Sequence, residues 1–477
     1  MTEAGTAFSA SRSFRIIVLG AALALAVTLW TALCLMPLVQ WNPARLAPSF
    51  ALVRGLPIYA LRDSGAQLGW FYGPGFPLWY APVALLDNPT CALLAAGLLN
   101  ILTWLGPVVL LLRAAGASPW ATTAGTVMTG VLMLGNNVTN YGFYFVHVDA
   151  LCLALQITAC LGLHAAVARG GRSGLHVAAI ALSAAFWTKV LSLALLPALL
   201  CWLWHSRRRD LVRPFLFLFT LYAGLFSAAV LAAFGPEEII FNVFLVHARN
   251  PWRGDWRLLA GELGRLASAC WSWLPALLLA WWLHRRKEPE ARASDSPPPS
   301  WAALFVWAAL WTAPLGLSAV LKAGGGLNSL HSVHFLLLAG LVHLAKSLDR
   351  PARAPGMAAG LFLLTMAVPL GHAAWIAALP GKVHWTMDRH QEDLLRVARE
   401  NPGRCYFPWS PMITIIAEHR ISPLDDALYC LWLCKLEPPV EKIRAAVPPN
   451  PIIIYSEPAQ SRFAMRYFNQ RTGSGPP

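Results

Sequence analysis

The sequence predicts an α-helical polytopic membrane protein, with roughly eleven spanning helices and a small C-terminal α/β domain outside the bilayer. Three observations carry this. Of 477 residues, 57% are hydrophobic and 13% charged, about half the charged share of a soluble domain. The apolar residues gather in runs long enough to cross a bilayer. Basic residues fall mostly in the short loops between those runs, the positive-inside pattern. The 22 Trp and 36 Pro fit the same class, because Trp favours membrane interfaces and Pro is tolerated inside a bundle. A net charge of +14 would otherwise point to nucleic acid. Its placement between apolar runs excludes that partner and names the lipid bilayer instead.

The first apolar run, 16–39, follows Arg12 and Arg15 and reads as a signal anchor with a cytoplasmic N-terminus. Residues 40–88 form a large outer loop with Arg45, Arg54, Arg62, Asp63 and many Pro and aromatic residues. The second span, 90–112, ends at Arg113. The third, 119–134, exits at Asn136, Asn137 and Asn140. The fourth begins near His147 and Asp149 and ends at Arg169 and Arg172. Spans five and six, 175–187 and 190–204, are a short pair with Lys189 at their turn; Arg207, Arg208 and Arg209 follow. Span seven is 215–234, followed by an outer loop, 236–269, with Arg249, Arg253, Arg257 and Arg265. Span eight, 270–283, leads to a Pro/Ser-rich cytoplasmic linker, 288–300. Span nine, 301–321, an outer turn, 322–328, span ten, 330–345, and span eleven, 356–378, complete the membrane module, 1–380. The basic loops alternate sides without an inversion. The N-terminus is therefore expected inside, and the soluble segment 381–477 outside a multi-pass cell membrane protein.

The C-terminal segment reads as a small α/β unit: an amphipathic helix over 388–400, short extended runs at 404–407 and 451–455, and a helix opened by Asp425 and Asp426. It holds three of the nine Cys, at 405, 430 and 434; outside the cytoplasm one disulfide among them is allowed. The other six sit in apolar helices as small hydrophobes. No His pair accompanies Cys430 and Cys434, which argues against zinc. The chain has no cofactor motif and leaves divalent-metal dependence open.

Ionisable groups at membrane depth are costly, so each is a candidate for function. Asp149 opens span four in HVDALCLAL, where a helix N-cap facing water is the plainer reading. Lys189 lies between two apolar helices in FWTKVLSLALLP, where it reads equally as a snorkelling residue. Lys322 and Asn328 flank a glycine turn in KAGGGLNSLHSVHF, which suits either a tight turn or close approach of backbone to a ligand. The first loop contains GWFYGPGFPLWYAP, either a groove for an apolar chain or sugar ring or an interfacial aromatic belt. Arg249, Arg253 and Arg257 recur every four residues, one basic face on a helix, suited to phosphate or to anionic headgroups.

Taken in order, these features resemble the GT-C class of membrane glycosyltransferases, more narrowly the bacterial proteins of the family 39-like and 87-like groups. Four strings carry the resemblance: ALVRGLPIYALRDSGAQLGWFYGPGFPLWYAP, HVDALCLAL, FWTKV and KAGGGLNSLHSVHF. The resemblance covers about residues 41–338. It implies transfer of a sugar from a polyprenyl-phosphate donor to a lipid, glycan or protein acceptor on the outer face of the membrane. Asp149 or Asp63 would serve as base. Lys189, Lys322, Arg54 and Arg249 would meet the donor phosphate, and Trp70, Tyr72, His147 and Asn328 the sugar or carrier. One departure stands out. The class usually carries an acid soon after span one, and here the segment reads VQWNPARLAPSF, with Asn42 and no acid. Asn is no base at neutral pH. A lipid-linked glycan transporter and an inactive GT-C scaffold are the competing readings.

Overall fold

A computed structural model of the chain describes residues 12–134, 145–261, 263, 264, 267, 300–348, 386–455 and 461–468. The expected spans 270–283 and 356–378, the linker 288–300 up to its last residue, Arg265 and the Asn136–Asn140 exit lie outside the described residues.

The first helix, α1 (Arg12–Leu35), leads through a short turn into α2 (Trp41–Val53). The first loop then carries the short helix α3 (Gly75–Tyr80) and a 3-10 turn, Val83–Leu85. The helices α4 (Pro89–Ala114), α5 (Pro119–Leu134), α6 (Val148–Arg169), α9 (Val212–Phe234) and α10 (Trp301–Val320) follow. Between them lie the shorter α7 (Arg172–Phe186) and α8 (Leu195–His205), and α11 (His331–Leu348) closes the bundle. Five helices, among the described residues, are long and apolar enough to cross a membrane, and three apolar helical segments are shorter.

Local sequence sets the helix ends. Asn88 caps α4 by accepting the Cys91 N–H at 2.9 Å, with Pro89 in the first turn. Ser300 caps α10 through the Ala303 N–H at 3.3 Å. Gly170, at φ 71°, ends α6 in the left-handed conformation that glycine favours. The chain then turns straight back into α7. The two helices touch backbone to backbone, because a Cβ on Gly174 would lie 2.5 Å from the Gly162 carbonyl oxygen. By contrast α9 buries only Phe215 and Val230, the pattern of an apolar helix facing lipid.

This connectivity sorts the polar residues. Arg169 and Arg172 share one end of the bundle, and Arg208 joins them by donating to the Val167 carbonyl at 3.0 Å. Asp149 and Lys189, at the opposite ends of α6 and α7, share the other.

The C-terminal domain sits on that second end. It comprises α12 (His390–Glu400), β1 (Cys405–Tyr406), α13 (Pro411–Glu418), α14 (Asp425–Leu433), α15 (Val440–Ala445) and β2 (Ile452–Ile453). The extended runs read at 404–407 and 451–455 pair as two parallel strands, Cys405 opposite Ile452 and Tyr406 opposite Ile453. Gln391 donates to the Pro37 carbonyl at 2.9 Å, and Leu424 N–H to the Gln67 carbonyl at 2.8 Å. The domain is thus seated on the end of α1 and on the first loop. Cys405, Cys430 and Cys434 are all free thiols, so no disulfide staples it.

Candidate active site

Helix α6 begins directly after His147, which is extended at φ −139° and caps it. This puts Asp149 in the first turn, where exposed N–H groups favour negative charge. Its carboxylate is 2% exposed and lies within hydrogen-bonding distance of three side chains. Oδ1 meets Lys189 Nζ at 2.6 Å and His331 Nε2 at 2.8 Å. Oδ2 meets Asn328 Nδ2 at 2.7 Å. His147 Nδ1 is 2.7 Å from Oδ2 and also accepts the Asp149 backbone N–H at 3.2 Å.

Each partner comes from a different element. Lys189 is 4% exposed and extended between α7 and the next 3-10 turn. Its ammonium also lies 3.4 Å from Ser329 Oγ, which leaves one N–H direction open. Asn328 and Ser329 form the short turn after the glycines, before α11. His331 opens α11, and its Nδ1 is 3.1 Å from Gln156 Oε1, two turns along α6 from Asp149. Burial pushes the His147 imidazole down to about 4, so the ring is neutral at pH 7. Its Nδ1 accepts the cap bond from the Asp149 N–H, and Nε2 lies 3.5 Å from Asn328 Nδ2.

The first loop is pressed against this cluster because it is glycine-rich. Gly75 N–H donates to the Trp187 carbonyl at 3.1 Å. A Cβ on Gly73 would lie 1.8 Å from the Trp187 carbonyl oxygen, and one on Gly75 2.3 Å from Thr188 Oγ1. Only glycine allows residues 73 and 75 so near the turn that carries Lys189. Tyr72 is thereby placed with its ring 5.9 Å from Lys189 Nζ and 5.7 Å from the His247 ring. Trp70 is buried behind it, donating to the Gly73 carbonyl at 3.0 Å and packing on Phe76 at 4.8 Å.

Asp149, Lys189, His147 and Asn328, four of the residues singled out in the sequence, therefore meet in one cluster, with Tyr72 beside it and Trp70 supporting Tyr72. The remaining four do not join its hydrogen bonds. Asp63 is exposed on a turn that Gln67 holds by donating to the Leu61 and Ser64 carbonyls, each at 2.8 Å. Arg54 pairs with Asp87 at 3.1 Å and donates to the Ala84 carbonyl at 3.2 Å. Lys322 donates to the His247 carbonyl at 2.6 Å. Arg249 is exposed at the end of a short helical turn. Arg253, also in the basic series, donates to the Gly325 carbonyl at 2.7 Å and the Lys322 carbonyl at 3.2 Å. Arg54, Lys322 and Arg253 thus each bond to a loop carbonyl.

Asn42 has a structural role that an acid would not fill. It is fully buried. Its Nδ2 donates to the Met36 carbonyl at 3.1 Å, and its Oδ1 accepts the Val146 N–H at 2.9 Å. The side chain ties the end of α1 to Val146, just before His147. Asn42→Asp is expected to lose the donor and bring a charge against the Met36 carbonyl. The cost is about 1–3 kcal/mol, read as a lower melting temperature of the purified protein in detergent, with no gain of transfer activity.

A small, mainly apolar pocket lies beside α6. Ala150, Leu153 and Ile157 line it on one side and His334, stacked on Trp104 at 5.1 Å, on another.

No family model matches this chain, and no curated protein matches it. Among solved structures it is similar to the crystal structure of ArnT from Cupriavidus metallidurans bound to undecaprenyl phosphate. The identity is 14% and the TM-score 0.49, over 92% of this chain and 90% of that one. It is also similar to the same protein in the apo state, at 14% identity and TM-score 0.37, over 89% of this chain and 91% of that one. A third likeness is to the arabinosyltransferase EmbB from Mycobacterium smegmatis, at 13% identity and TM-score 0.40. That match covers 87% of this chain but 40% of EmbB.

Proposed function

We propose that this chain is a membrane glycosyltransferase that moves a sugar from a polyprenyl-phosphate donor to a hydroxyl of a lipid, glycan or protein acceptor, on the outer face of the cytoplasmic membrane. The observation that carries the reading is the buried Asp149–Lys189 pair, held by Asn328 and His331 and roofed by the Tyr72 loop. Here one N–H direction of a buried ammonium points away from its carboxylate, next to an aromatic loop. That suits a phosphate oxygen of the donor, whose charge grows as the sugar leaves. Asp149 holds the ammonium protonated and in place. The first loop and the C-terminal domain then face the aqueous side, with the N-terminus inside.

Glycan and lipid profiling of a strain lacking the chain tests this. One glycosylated species is expected to vanish while its polyprenyl-phosphate donor accumulates. An unchanged profile contradicts the transferase reading. Loss of donor from the outer leaflet, with nothing accumulating there, would indicate transport instead.

A further inference from the structure

One short segment of chain grips both members of the Asp149–Lys189 pair. Asn328 donates to Oδ2 of the carboxylate at 2.7 Å, Ser329 Oγ lies 3.4 Å from the Lys189 ammonium, and His331 Nε2 meets Oδ1 at 2.8 Å. Lys189 meets that same Oδ1 at 2.6 Å. The bond from His331 therefore falls on the oxygen that orients the ammonium. A second bond fixes His331 in turn, since its Nδ1 stands 3.1 Å from the amide of Gln156 on α6. His331 is 3% exposed and Gln156 0%. Polar groups buried this deeply cost free energy unless they are paired, and these two pair with each other and with Asp149.

The proton inventory of this chain of bonds defines its working form. A carboxylate paired with an ammonium only accepts, so His331 Nε2 carries a hydrogen and donates it to Asp149. A hydrogen on Nδ1 as well would make the ring a second cation beside Lys189, with one carboxylate between them. His334, on the same helix with its ring 6.4 Å away, brings no counter-charge. His147, neutral at the cap of α6, brings none either. A buried charge without a partner is costly, so the ring is neutral and Nδ1 keeps its lone pair. That lone pair calls for a donor. A half-turn of the Gln156 amide exchanges its oxygen and nitrogen. It presents to Nδ1 the Nε2 group, which in the other orientation has no hydrogen-bond partner among the described residues.

Resting on the transferase reading, we propose that His331 and Gln156 are positioning residues for sugar transfer. Gln156 holds the imidazole in its Nε2–H form, and that N–H fixes the Asp149 carboxylate. The carboxylate keeps the Lys189 ammonium aimed at the phosphate oxygen that gains charge as the sugar leaves. Neither residue touches donor or acceptor, and neither brings a charge to the site. Their contribution is direction, held by bonds to both nitrogens of one ring.

The two nitrogens can be separated by substitution. A Gln side chain reaches as far as Nε2 of a His, and an Asn side chain as far as Nδ1. His331→Gln thus keeps a donor for Asp149 and gives up the bond to Gln156. His331→Asn keeps a polar atom facing Gln156 and gives up the bond to Asp149.

The test uses membranes of the strain lacking the chain, supplied with the full-length wild type or a variant at matched levels. The donor is the lipid fraction that accumulates in that strain, and the readout is the glycan species that the wild type restores. If the wild type restores none, the transferase reading fails and this proposal falls with it. If it does, His331→Asn should lower kcat about 30-fold or more, with KM for the donor fraction within about threefold of wild type. His331→Gln should keep kcat within about fivefold. If His331→Asn does not accumulate in the membrane, Gln156→Leu decides, since it leaves the bond to Asp149 in place. Its kcat should fall about tenfold, and an unchanged rate overturns the assignment. Equal kcat in the Asn and Gln variants of His331 overturns it as well and leaves the transferase reading standing. So does a raised KM at unchanged kcat, which would place His331 in donor binding.

Discussion

Asp149→Asn is expected to abolish transfer and to destabilise the protein by about 3–5 kcal/mol, because it leaves the Lys189 ammonium buried without its counter-charge. The variant also turns an acceptor into a partial donor, facing Asn328 Nδ2 and His147 Nδ1 on one oxygen or Lys189 and His331 on the other. Lys189→Met should be nearly as damaging, since it leaves the carboxylate with only neutral donors. The double variant, Asp149→Asn with Lys189→Met, separates structure from chemistry. With both charges gone, most of the stability should return, since a buried pair replaced by neutral groups is often close to neutral in cost. Activity should not return. Melting temperature in detergent, set beside transfer in membranes, reads both. Equal stability of the single and double variants would mean that the pair contributes little to the fold.

The second large effect is expected at a residue with no side chain. Gly73→Ala puts a methyl 1.8 Å from the Trp187 carbonyl oxygen and 2.4 Å from its carbon, both backbone atoms. The first loop must move away from the segment carrying Lys189, with loss of the Gly75 N–H bond to Trp187. Overpacking of this kind costs about 1–3 kcal/mol or somewhat more. The larger consequence is for function. Tyr72 is the neighbouring residue and Lys189 follows Trp187 by two positions, and a shift of about 1 Å at such a site costs on the order of 100-fold in rate. Gly106→Ala is the control. It lies within α4 with nothing within 4 Å of the added methyl, and should leave both stability and transfer unchanged or slightly raise stability. If Gly73→Ala behaves like Gly106→Ala, the close packing of first loop on the Lys189 turn is not needed for the site.

Part of this site was legible in the sequence because polar groups in apolar runs are expensive. Asp149, Lys189 and Asn328 stood out by that rule, and they meet within hydrogen-bonding distance. His331 belongs to the same cluster but was passed over. It sits in a helix that also holds His334 and His343, and nothing in spacing distinguishes the His that reaches Asp149 from the others. Spacing along the chain does not foretell the partners of the loop cations: Lys322, Arg54 and Arg253 each meet a backbone carbonyl, and Arg54 a surface acid as well. Asn42 was legible as a departure, but its use was not. That depends on the Met36 carbonyl and the Val146 N–H, a partner 104 positions away in the chain.

The fold shows the same division. Helices were readable from long apolar runs with Asn, Ser and Gly at their ends, and the two short strands from β-type runs. The seating of the C-terminal domain was not, because it depends on single close contacts such as Gly69 against Ala427 and Trp41 against Trp409.

The central claim is that the Asp149–Lys189 pair serves sugar transfer rather than the fold alone. The most direct measurement is complementation of a strain lacking the chain with the charge-free double variant, at a membrane level and melting temperature matching the wild type. The account predicts that the glycosylated species stays absent and its polyprenyl-phosphate donor stays elevated. Restoration of that species to the wild-type level by a chain with neither charge would contradict it.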